Sequence, residues 1–332
     1  MRFLLSVLGF LVLSGYLAAT AAAVPTGQLR PELETFIDEM VGRHGFTQAE
    51  LVNILGAAKF QPGIINAISK PATSRPWHEF HPRLVNPQRV AGGVDFWTVN
   101  AATLERARVE FGIPEEIITA VIGIETNYGA QSGNHRVLDA LTTLAFGYPR
   151  RAAFFRDELE QYLLLTREQG VDVLNVKGSY AGAIGIPQFM PSSYRRYAVD
   201  FDSDGKVDLA GSTADAIGSV ANYLKSYGWE TEQTVVIPAR VNGKDYLGVL
   251  FSGNKPLYTL TEMKKLGVVP GIEISGDLPA TLIELENIGG TEHWLGFNNF
   301  FVITRYNRSV NYAMSVLQLA EEIRMARNLN LR

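Results

Sequence analysis

The sequence has no cysteine among its 332 residues. This absence excludes disulfides, zinc–thiolate sites, iron–sulfur clusters and a cysteine nucleophile. The sequence also lacks an excess of basic charge, because 30 basic and 34 acidic side chains leave a formal net charge of −4. A surface that follows phosphate groups is therefore not expected, and no nucleic-acid partner is predicted. With 46% hydrophobic and 19% charged residues, the composition indicates a packed globular protein.

Several motifs of enzyme sites are also missing. The five histidines are scattered, and neither His-Glu-x-x-His nor Gly-x-Ser-x-Gly occurs, which excludes a zinc-protease helix and a hydrolase nucleophile elbow. The glycines at 178, 182 and 185 precede no Lys-Ser or Lys-Thr and follow no predicted strand. Neither a P-loop nor a dinucleotide fingerprint is present, and no organic cofactor is expected.

A secretory signal peptide is predicted at residues 1–23. Arg2 gives a positive start, residues 3–12 are mostly apolar, and small residues lead to three alanines at 21–23. Alternatively, the apolar segment is just long enough to remain as a membrane anchor, and no later apolar run could span a bilayer. Tyr16 stands where a lipid-attachment cysteine would be. We therefore expect an exported, soluble, periplasmic protein that is a monomer.

Hydrophobic spacing predicts a mainly α (α+β) chain with a small β-rich part. Apolar residues three and four positions apart predict helices through most of residues 31–111, with Thr47 capping one of them. Four prolines within residues 71–87 indicate an extended connector. Further helices are predicted at residues 114–127, 150–168, 214–227 and 312–327, and strands at 234–238 and 281–285. The last helix is expected to fold back on the helical body.

Glu125 is the candidate catalytic acid, near the end of the helix predicted at residues 114–127. Counting back by three, four and seven places Val121, Ile122 and Ile118 on its face of the helix, the face expected to point to the core. Burial and the negative end of the helix dipole should both raise the pKa of this carboxyl group. General-acid cleavage of a glycosidic bond requires such a protonated acid. An ordinary solvated acid at a helix end fits this segment about as well.

A glycine- and proline-rich segment, residues 177–194, carries candidate sugar-binding side chains. Its glycines allow the backbone to approach a ligand closely. Gln188 offers a donor and an acceptor, and Tyr180, Phe189 and Tyr194 offer flat apolar faces. Sugars bind such combinations, but a turn between helices with aromatic packing would look much the same.

Residues 200–208 match the first nine places of a helix-loop-helix calcium loop. Acids fall at positions 1, 3, 5 and 9 with glycine at 6, and the Lys206 carbonyl can serve at position 7. Position 12 is Gly211, so we expect a longer loop that ends on Asp215. The ligands predicted for a structural Ca²⁺ are Asp200, Asp202, Asp204, Lys206 and Asp215. The alternative is an aspartate-rich solvated turn.

Six motifs occur in the order found in one family. They are IETNYG (124–129), YPRR (148–151), GSYAGA (178–183), QFMPSS (188–193), SVANYL (219–224) and TRYN (304–307). They resemble membrane-bound lytic transglycosylase B and its soluble forms, which cleave bacterial peptidoglycan. The resemblance covers residues 36–327 and implies a lysozyme-like catalytic core flanked by a helical domain and a small β-rich domain.

The resemblance divides the mature chain into three parts. Residues 24–90 form the helical domain, completed by the C-terminal helix at 310–332. Residues 91–230 form the lysozyme-like core with the calcium-type loop. Residues 231–309 form the small β-rich domain and a segment that lines the groove.

The resemblance also implies a mechanism and a set of site residues. The matching glutamate, Glu125, protonates the oxygen that leaves C1 of N-acetylmuramic acid. It then acts as base toward the C6 hydroxyl of the same sugar, which gives a 1,6-anhydro end without consuming water. The residues implied to bind glycan strands or stem peptides are Ser179, Gln188, Phe189, Tyr223, Tyr306, Asn307, Tyr312, Arg150, Arg151, Phe80 and Phe154. Phe80 and Phe154 stand where the family often has tyrosine, so stacking would survive but a hydroxyl contact would not.

Two other functions remain open at this level. A hydrolytic muramidase would pair Glu125 with a distant carboxylate, since no Asp or Glu occurs between Glu125 and Asp139. A noncatalytic peptidoglycan-binding scaffold would use Glu125 only for packing. Cell-wall synthesis proteins are candidate partners in either case.

Overall fold

The structure is a computed structural model that describes residues 31–69, 75–250 and 253–330; the predicted signal peptide lies outside these ranges. Helices dominate, and a short 3₁₀ turn at Pro149–Arg151 precedes α9. The helices are α1 (Pro31–His44), α2 (Gln48–Gly56), α3 (Pro62–Ile68), α4 (Trp77–Leu84), α5 (Pro87–Val99), α6 (Ala101–Phe111), α7 (Glu115–Thr126), α8 (Val137–Gly147), α9 (Ala152–Gln169), α10 (Pro191–Tyr197), α11 (Thr213–Ser226), α12 (Leu247–Leu250), α13 (Leu260–Lys265), α14 (Asn298–Tyr306) and α15 (Val310–Asn330). Within the described ranges, none of these helices has the length and apolarity that crossing a bilayer requires.

The strands form two antiparallel sheets. They are β1 (His135–Arg136), β2 (Lys177–Gly178), β3 (Val236–Val241), β4 (Tyr258–Thr259), β5 (Val268–Pro270), β6 (Pro279–Asn287) and β7 (Gly290–Gly296). β1 pairs with β2, and the other strands form a five-stranded sheet in the order β4-β6-β7-β3-β5. The mainly α fold with a small β-rich part is thus confirmed.

Helix starts follow local sequence signals. Thr47 caps α2 in a capping box with Glu50, as predicted from the sequence. Asn86 caps α5 by accepting from the backbone N–H of Arg89, and Pro87 occupies the first helical position, where its missing N–H costs nothing.

The prediction of an extended connector over residues 71–87 is wrong in its second half. Pro76 immediately precedes α4, and Pro87 opens α5, so two of the prolines start helices instead of preventing them. Burial of Trp77 and Phe80, each 5% exposed, stabilises the short helix α4 even though Pro82 lies inside it.

The buried side chains form a large cluster and a small one. The large cluster joins the first helices to α7–α11 and α15, and it includes Phe300 and Ile303 of α14. The small cluster lies between the five-stranded sheet and the short helices α12 and α13, and it includes Ile237, Met263 and Leu295. The boundary predicted between residues 90 and 91 falls inside α5, so it does not coincide with a break in the structure.

The helix α7 lies at the centre of the large cluster, with eight of its twelve residues buried. It packs against α5, α6, α11 and the returning last helix, α15. This packing brings the end of α7 close to the start of α15.

Candidate active site

Glu125 lies in the last turn of α7, on the face that its spacing predicted. Ile118, Val121 and Ile122 on that face are fully buried, whereas Glu125 is partly buried. Because α7 carries apolar side chains on nearly all of its faces, the carboxyl group of Glu125 extends from a helix that is mostly buried. The alternative of a freely solvated helix-end acid does not fit this position.

Burial raises the pKa of Glu125 to about 7, and a hydrogen bond from Tyr312 opposes that rise. The Tyr312 hydroxyl donates to Glu125 Oε1 over 2.6 Å. Among the described residues, no second carboxylate acts on the charge of this group. The site therefore offers a carboxyl group that is protonated at pH values just below neutral, next to a neutral donor.

A cluster of aromatic rings surrounds this pair. Tyr306 stacks on Tyr312 with ring centroids 6.4 Å apart and planes at 12°. Tyr223 lies 4.8 Å from Tyr306, and Phe189 contacts both Tyr223 and Tyr306 at 5.4 and 5.8 Å. Four of the predicted site aromatics, from four separate elements, are thus brought together beside Glu125.

Hydroxyl groups fix two of these rings. The Tyr306 hydroxyl donates to the carbonyl oxygen of Pro187. The Tyr223 hydroxyl donates to the carbonyl oxygen of Arg305 over 2.6 Å. Because both phenols are engaged with backbone, Tyr306 holds α14 to the glycine-rich segment and Tyr223 holds α11 to α14.

The glycine-rich segment folds on itself, through single bridges between Gly178 and Ile184 and between Ile184 and Phe189. Gln188 has a left-handed backbone, φ 52°. Its amide nitrogen donates to the carbonyl oxygens of Ser132 (3.0 Å) and Gly185 (2.9 Å), which leaves the amide oxygen to accept from a ligand.

Two other predicted polar residues also contact the backbone. The Ser179 hydroxyl oxygen accepts from the N–H groups of Ala181 and Ala183, so its own hydrogen is available to donate. The side-chain oxygen Oδ1 of Asn307 accepts from the backbone N–H of Ser309 just before α15.

The chain after Glu125 is held against the glycine-rich segment by a residue that sequence reasoning missed. Thr126 Oγ1 donates to the carbonyl oxygen of Ile186 (2.8 Å) and accepts from the N–H of Gly129 (2.9 Å). The sequence contained a signal for Thr126, because a buried hydroxyl next to a candidate acid needs a hydrogen-bond partner.

Tyr128 is a second residue that was missed. It has φ 62°, and its hydroxyl donates to the carbonyl oxygen of Arg89 over 2.6 Å. A Cβ atom at Gly123 would lie 2.6 Å from that hydroxyl, and one at Gly93 would lie 2.7 Å away. Glycine at these positions gives the phenol its space between α5 and α7.

Five predicted binding residues lie elsewhere or face inward. Phe80 and Phe189 are only 5% and 2% exposed, so neither offers a free ring face, which corrects the prediction that they stack on sugars. Arg150 and Arg151 are exposed at the 3₁₀ turn before α9. The Arg151 guanidinium lies 4.2 Å above the ring of Phe154, which is 37% exposed.

The aspartate loop brings three of its predicted ligands together. Asp200, Asp202 and Asp204 each offer a carboxylate oxygen, and these oxygens lie within 4.8 Å of one another. Asp204 and Gly205 donate backbone N–H groups to Asp200. The loop carbonyl predicted as a ligand belongs to Lys206, whose N–H is bonded to Asp204.

Asp215 lies outside that compact set of three carboxylates, and its place among the calcium ligands stays a prediction. It is buried, and its two carboxylate oxygens accept from the N–H groups of Phe201 and Asp208, both over 2.7 Å. The Asp215 carboxylate thus fixes the conformation of the loop backbone, because buried N–H groups need acceptors.

Comparisons with known proteins agree with this site. The chain matches a family model described as the transglycosylase SLT domain over residues 28–321. It is 42% identical over 307 residues to membrane-bound lytic murein transglycosylase B of Escherichia coli (strain K12), which covers 90% of this chain and 84% of the relative. The crystal structure of soluble lytic transglycosylase SltB1 from Pseudomonas aeruginosa superposes with a TM-score of 0.83 at 45% identity, covering 90% of this chain and 100% of that one.

A further similar structure is that of the Escherichia coli lytic transglycosylase Slt35 in complex with calcium. It superposes with a TM-score of 0.80 at 40% identity and covers 90% of this chain and 94% of that one. Likeness of this extent confirms the predicted lysozyme-like fold class.

Proposed function

The chain belongs to the transglycosylase SLT domain family, and we propose that it is a peptidoglycan lytic transglycosylase in which Glu125 serves as both acid and base. The substrate is the β-1,4 bond between N-acetylmuramic acid and N-acetylglucosamine. The observation that carries this proposal is the environment of Glu125, whose pKa is raised to about 7 by burial, with Tyr312 and no second carboxylate acting on it among the described residues.

In the first step Glu125 acts as the acid. Because Tyr312 donates to Oε1, the carboxyl proton is carried by Oε2 and passes to the glycosidic oxygen. The bond from C1 of N-acetylmuramic acid to that oxygen breaks, and the electron pair leaves with the oxygen. Glu125 is then a carboxylate, stabilised by the Tyr312 hydroxyl.

In the second step the same carboxylate acts as the base. It removes the proton from the C6 hydroxyl of the muramic acid residue, and O6 forms a bond to C1. The products are a 1,6-anhydro end and a free hydroxyl on the released sugar, and Glu125 is protonated again. Water is not consumed, so no second carboxylate is needed to activate it.

Polar groups around the aromatic cluster are suited to hold the glycan strand. The free amide oxygen of Gln188 accepts from a sugar hydroxyl or acetamide N–H, and the Ser179 hydroxyl donates to a sugar oxygen. Tyr306 and Asn307 line the same side of the groove. The exposed cations Arg150 and Arg151, with Phe154, face the anionic stem peptide.

The product ends separate this function from its rivals. Purified cell wall is digested in water enriched in ¹⁸O, and the fragments are analysed by mass spectrometry. We expect anhydro ends that carry no label. Labelled reducing ends would establish a hydrolytic muramidase, and no fragments at all would leave a binding scaffold.

A matched variant tests the role of the acid. Glu125→Gln keeps the size of the side chain and its ability to accept from Tyr312, but it has no proton to give. We expect loss of wall cleavage, by a factor on the order of 10³, with glycan binding retained. Undiminished cleavage by this variant would remove Glu125 from the mechanism.

A structural Ca²⁺ fits the aspartate loop. Asp200, Asp202 and Asp204 form a compact set of hard oxygen donors, to which the Lys206 carbonyl adds a neutral one. The bound ion would neutralise repulsion among the three carboxylates and take no part in bond cleavage. Asp215 links this loop to α11, the helix that carries Tyr223.

The place of action follows from the substrate. Peptidoglycan lies outside the cytoplasmic membrane, and residues 1–23 have the pattern of an export signal. We propose that the mature chain acts in the periplasm without a lipid anchor. Wall-synthesis proteins remain its candidate partners.

A further inference from the structure

A polar cavity of about 350 Å³ lies at the start of α8, and the proposed mechanism makes no use of it. It is lined by Lys59, Gln61, Asn134, His135, Arg136 and Asp139. Two of these side chains are cations and one is an acid, so the lining carries a net positive charge in a chain whose formal net charge is −4.

The acid in this cavity is already satisfied. Asp139 is buried, and its oxygens accept from Arg136 Nε (2.9 Å), from Arg136 Nη2 (2.5 Å) and from the backbone N–H of Lys59 (2.8 Å). Arg136 also donates to the carbonyl oxygen of Ala57 over 2.8 Å. Arg136 and Asp139 therefore neutralise each other and form a fixed wall of the cavity.

The remaining side chains are donors without partners. Among the described residues, no side-chain hydrogen bond or ion pair engages the amine of Lys59, the ring of His135 or the amides of Gln61 and Asn134. Lys59, Asn134 and His135 are exposed. The charge of Lys59 helps to lower the pKa of Asp139, but its ammonium group makes no hydrogen bond or ion pair among the described residues. A cavity with such an ammonium group and several neutral donors is suited to an anion with two or more acceptor oxygens.

The cavity lies close in the fold to the side chains proposed to bind the glycan. The β1–β2 pairing sets His135 opposite Gly178, the residue before Ser179. The carbonyl oxygen of Ser132, three residues before His135, accepts from the Gln188 amide. A ligand group at the cavity is thus one short loop away from the sugar-binding side chains.

We propose that this cavity binds a carboxylate of the stem peptide attached to the glycan strand. This inference rests on the proposed function, because it takes its ligand from the substrate of that reaction. Lys59 supplies the charge, and Asn134, Gln61 and His135 supply neutral hydrogen bonds. The site differs from Arg150 and Arg151, which lie beyond the opposite end of α8, about 16 Å along the helix axis.

Reversing the charge of Lys59 tests the proposal. In Lys59→Glu the backbone N–H that holds Asp139 is unchanged, so the cavity wall stays intact. KM is measured on glycan strands that carry stem peptides and on strands from which an amidase has removed them. We expect KM to rise about tenfold on the peptide-bearing strands, with kcat and the KM for stem-free strands unchanged.

Lys244→Glu, which reverses an exposed lysine in the β-rich part, is the matched control. Asn134→Ala, which removes a neutral donor, should raise the same KM by a smaller factor. An unchanged KM on peptide-bearing strands in Lys59→Glu would overturn the proposal, and so would an equal rise on both substrates. If the unmodified protein cleaves neither substrate, the proposed function itself fails, and that result is distinct from either of these.

Discussion

The hydroxyl of Tyr312 lies 2.6 Å from Glu125 Oε1, although 187 positions separate the two residues in the chain. Tyr312 is itself only 3% exposed, and burial, followed by the charge of Glu125, holds its pKa well above the usual value. It therefore remains a neutral donor at the pH values near 7 at which Glu125 titrates. It stabilises the carboxylate formed in the first step without adding a charge to the site.

Replacing Tyr312 by phenylalanine should shift the pH dependence of catalysis. The Tyr312 hydrogen bond lowers the pKa of Glu125, so its loss raises that pKa above about 7. Because Glu125 acts first in its protonated form, the alkaline limb of kcat/KM should move to higher pH by roughly one unit, while kcat falls about tenfold. Tyr258→Phe in the five-stranded sheet should leave the profile unchanged. If the alkaline limb of kcat/KM stays at its original pH in the Tyr312→Phe variant, the Tyr312 hydroxyl does not have this role.

Glu125→Gln should make the protein more stable in alkaline solution. Burial raises the pKa of Glu125 from its ordinary value of 4.5 to about 7. The stability that neutral Glu125 contributes is therefore fully present below pH 4.5 and is lost as pH rises through 7. The expected loss in the free energy of unfolding is on the order of 3 kcal/mol. The Glu125→Gln variant does not undergo this loss, because glutamine stays neutral.

Urea unfolding of both proteins at about pH 5 and about pH 8, on either side of the raised pKa, measures this effect. The variant should exceed the wild type in free energy of unfolding at the higher pH and differ little at the lower one. An equal difference at the two pH values would show that the carboxyl group is not held neutral by burial.

Gly123→Ala should destabilise the protein from inside α7. The new Cβ would lie 2.6 Å from the Tyr128 hydroxyl, which is fixed by its bond to Arg89. We expect a loss of about 1–3 kcal/mol in the free energy of unfolding. Gly42→Ala in α1, where a Cβ meets nothing within 4 Å, should instead stabilise slightly. Matching effects in the two variants would rule out the packing described for Tyr128.

Calcium should raise the melting temperature through the aspartate loop. An excess of about 100-fold over Kd contributes about 2.7 kcal/mol, or roughly 5 °C for a chain of this size. Asp202→Asn removes one of the clustered carboxylates and should abolish most of the shift. Asp38→Asn, an exposed position in α1, is the control. A shift that survives in Asp202→Asn would place the ion elsewhere.

Local patterns predicted the elements that carry their own signals. The capping box at Thr47 and the apolar run of α7 define those helices without help from the rest of the chain. The spacing of Val121 and Ile122 also predicted the burial around Glu125, since one helix face decides it. The burial of this helix face was therefore readable from the sequence, whereas the helix pattern alone left the chemistry of Glu125 open.

Relations between distant elements were not readable from local patterns. That Phe189 turns inward while Gln188 keeps a free acceptor depends on the left-handed backbone at Gln188. Asp215 matched a ligand by position, and only the fold shows that its carboxylate also holds backbone N–H groups of the loop. β7 was missed because Thr291, Glu292 and neighbouring polar residues hide a strand that pairing with β6 and β3 stabilises.

Because Tyr312 belongs to α15, the order of synthesis delays assembly of the active centre. Before α15 is translated, Glu125, the glycine-rich segment with Gln188 and most of the large hydrophobic cluster have already been synthesised. Tyr312, which donates to Glu125, and the rest of α15, which packs on α7, are synthesised last. A chain truncated before α15 therefore lacks a complete active site, and the ability to cleave peptidoglycan depends on translation of the last helix.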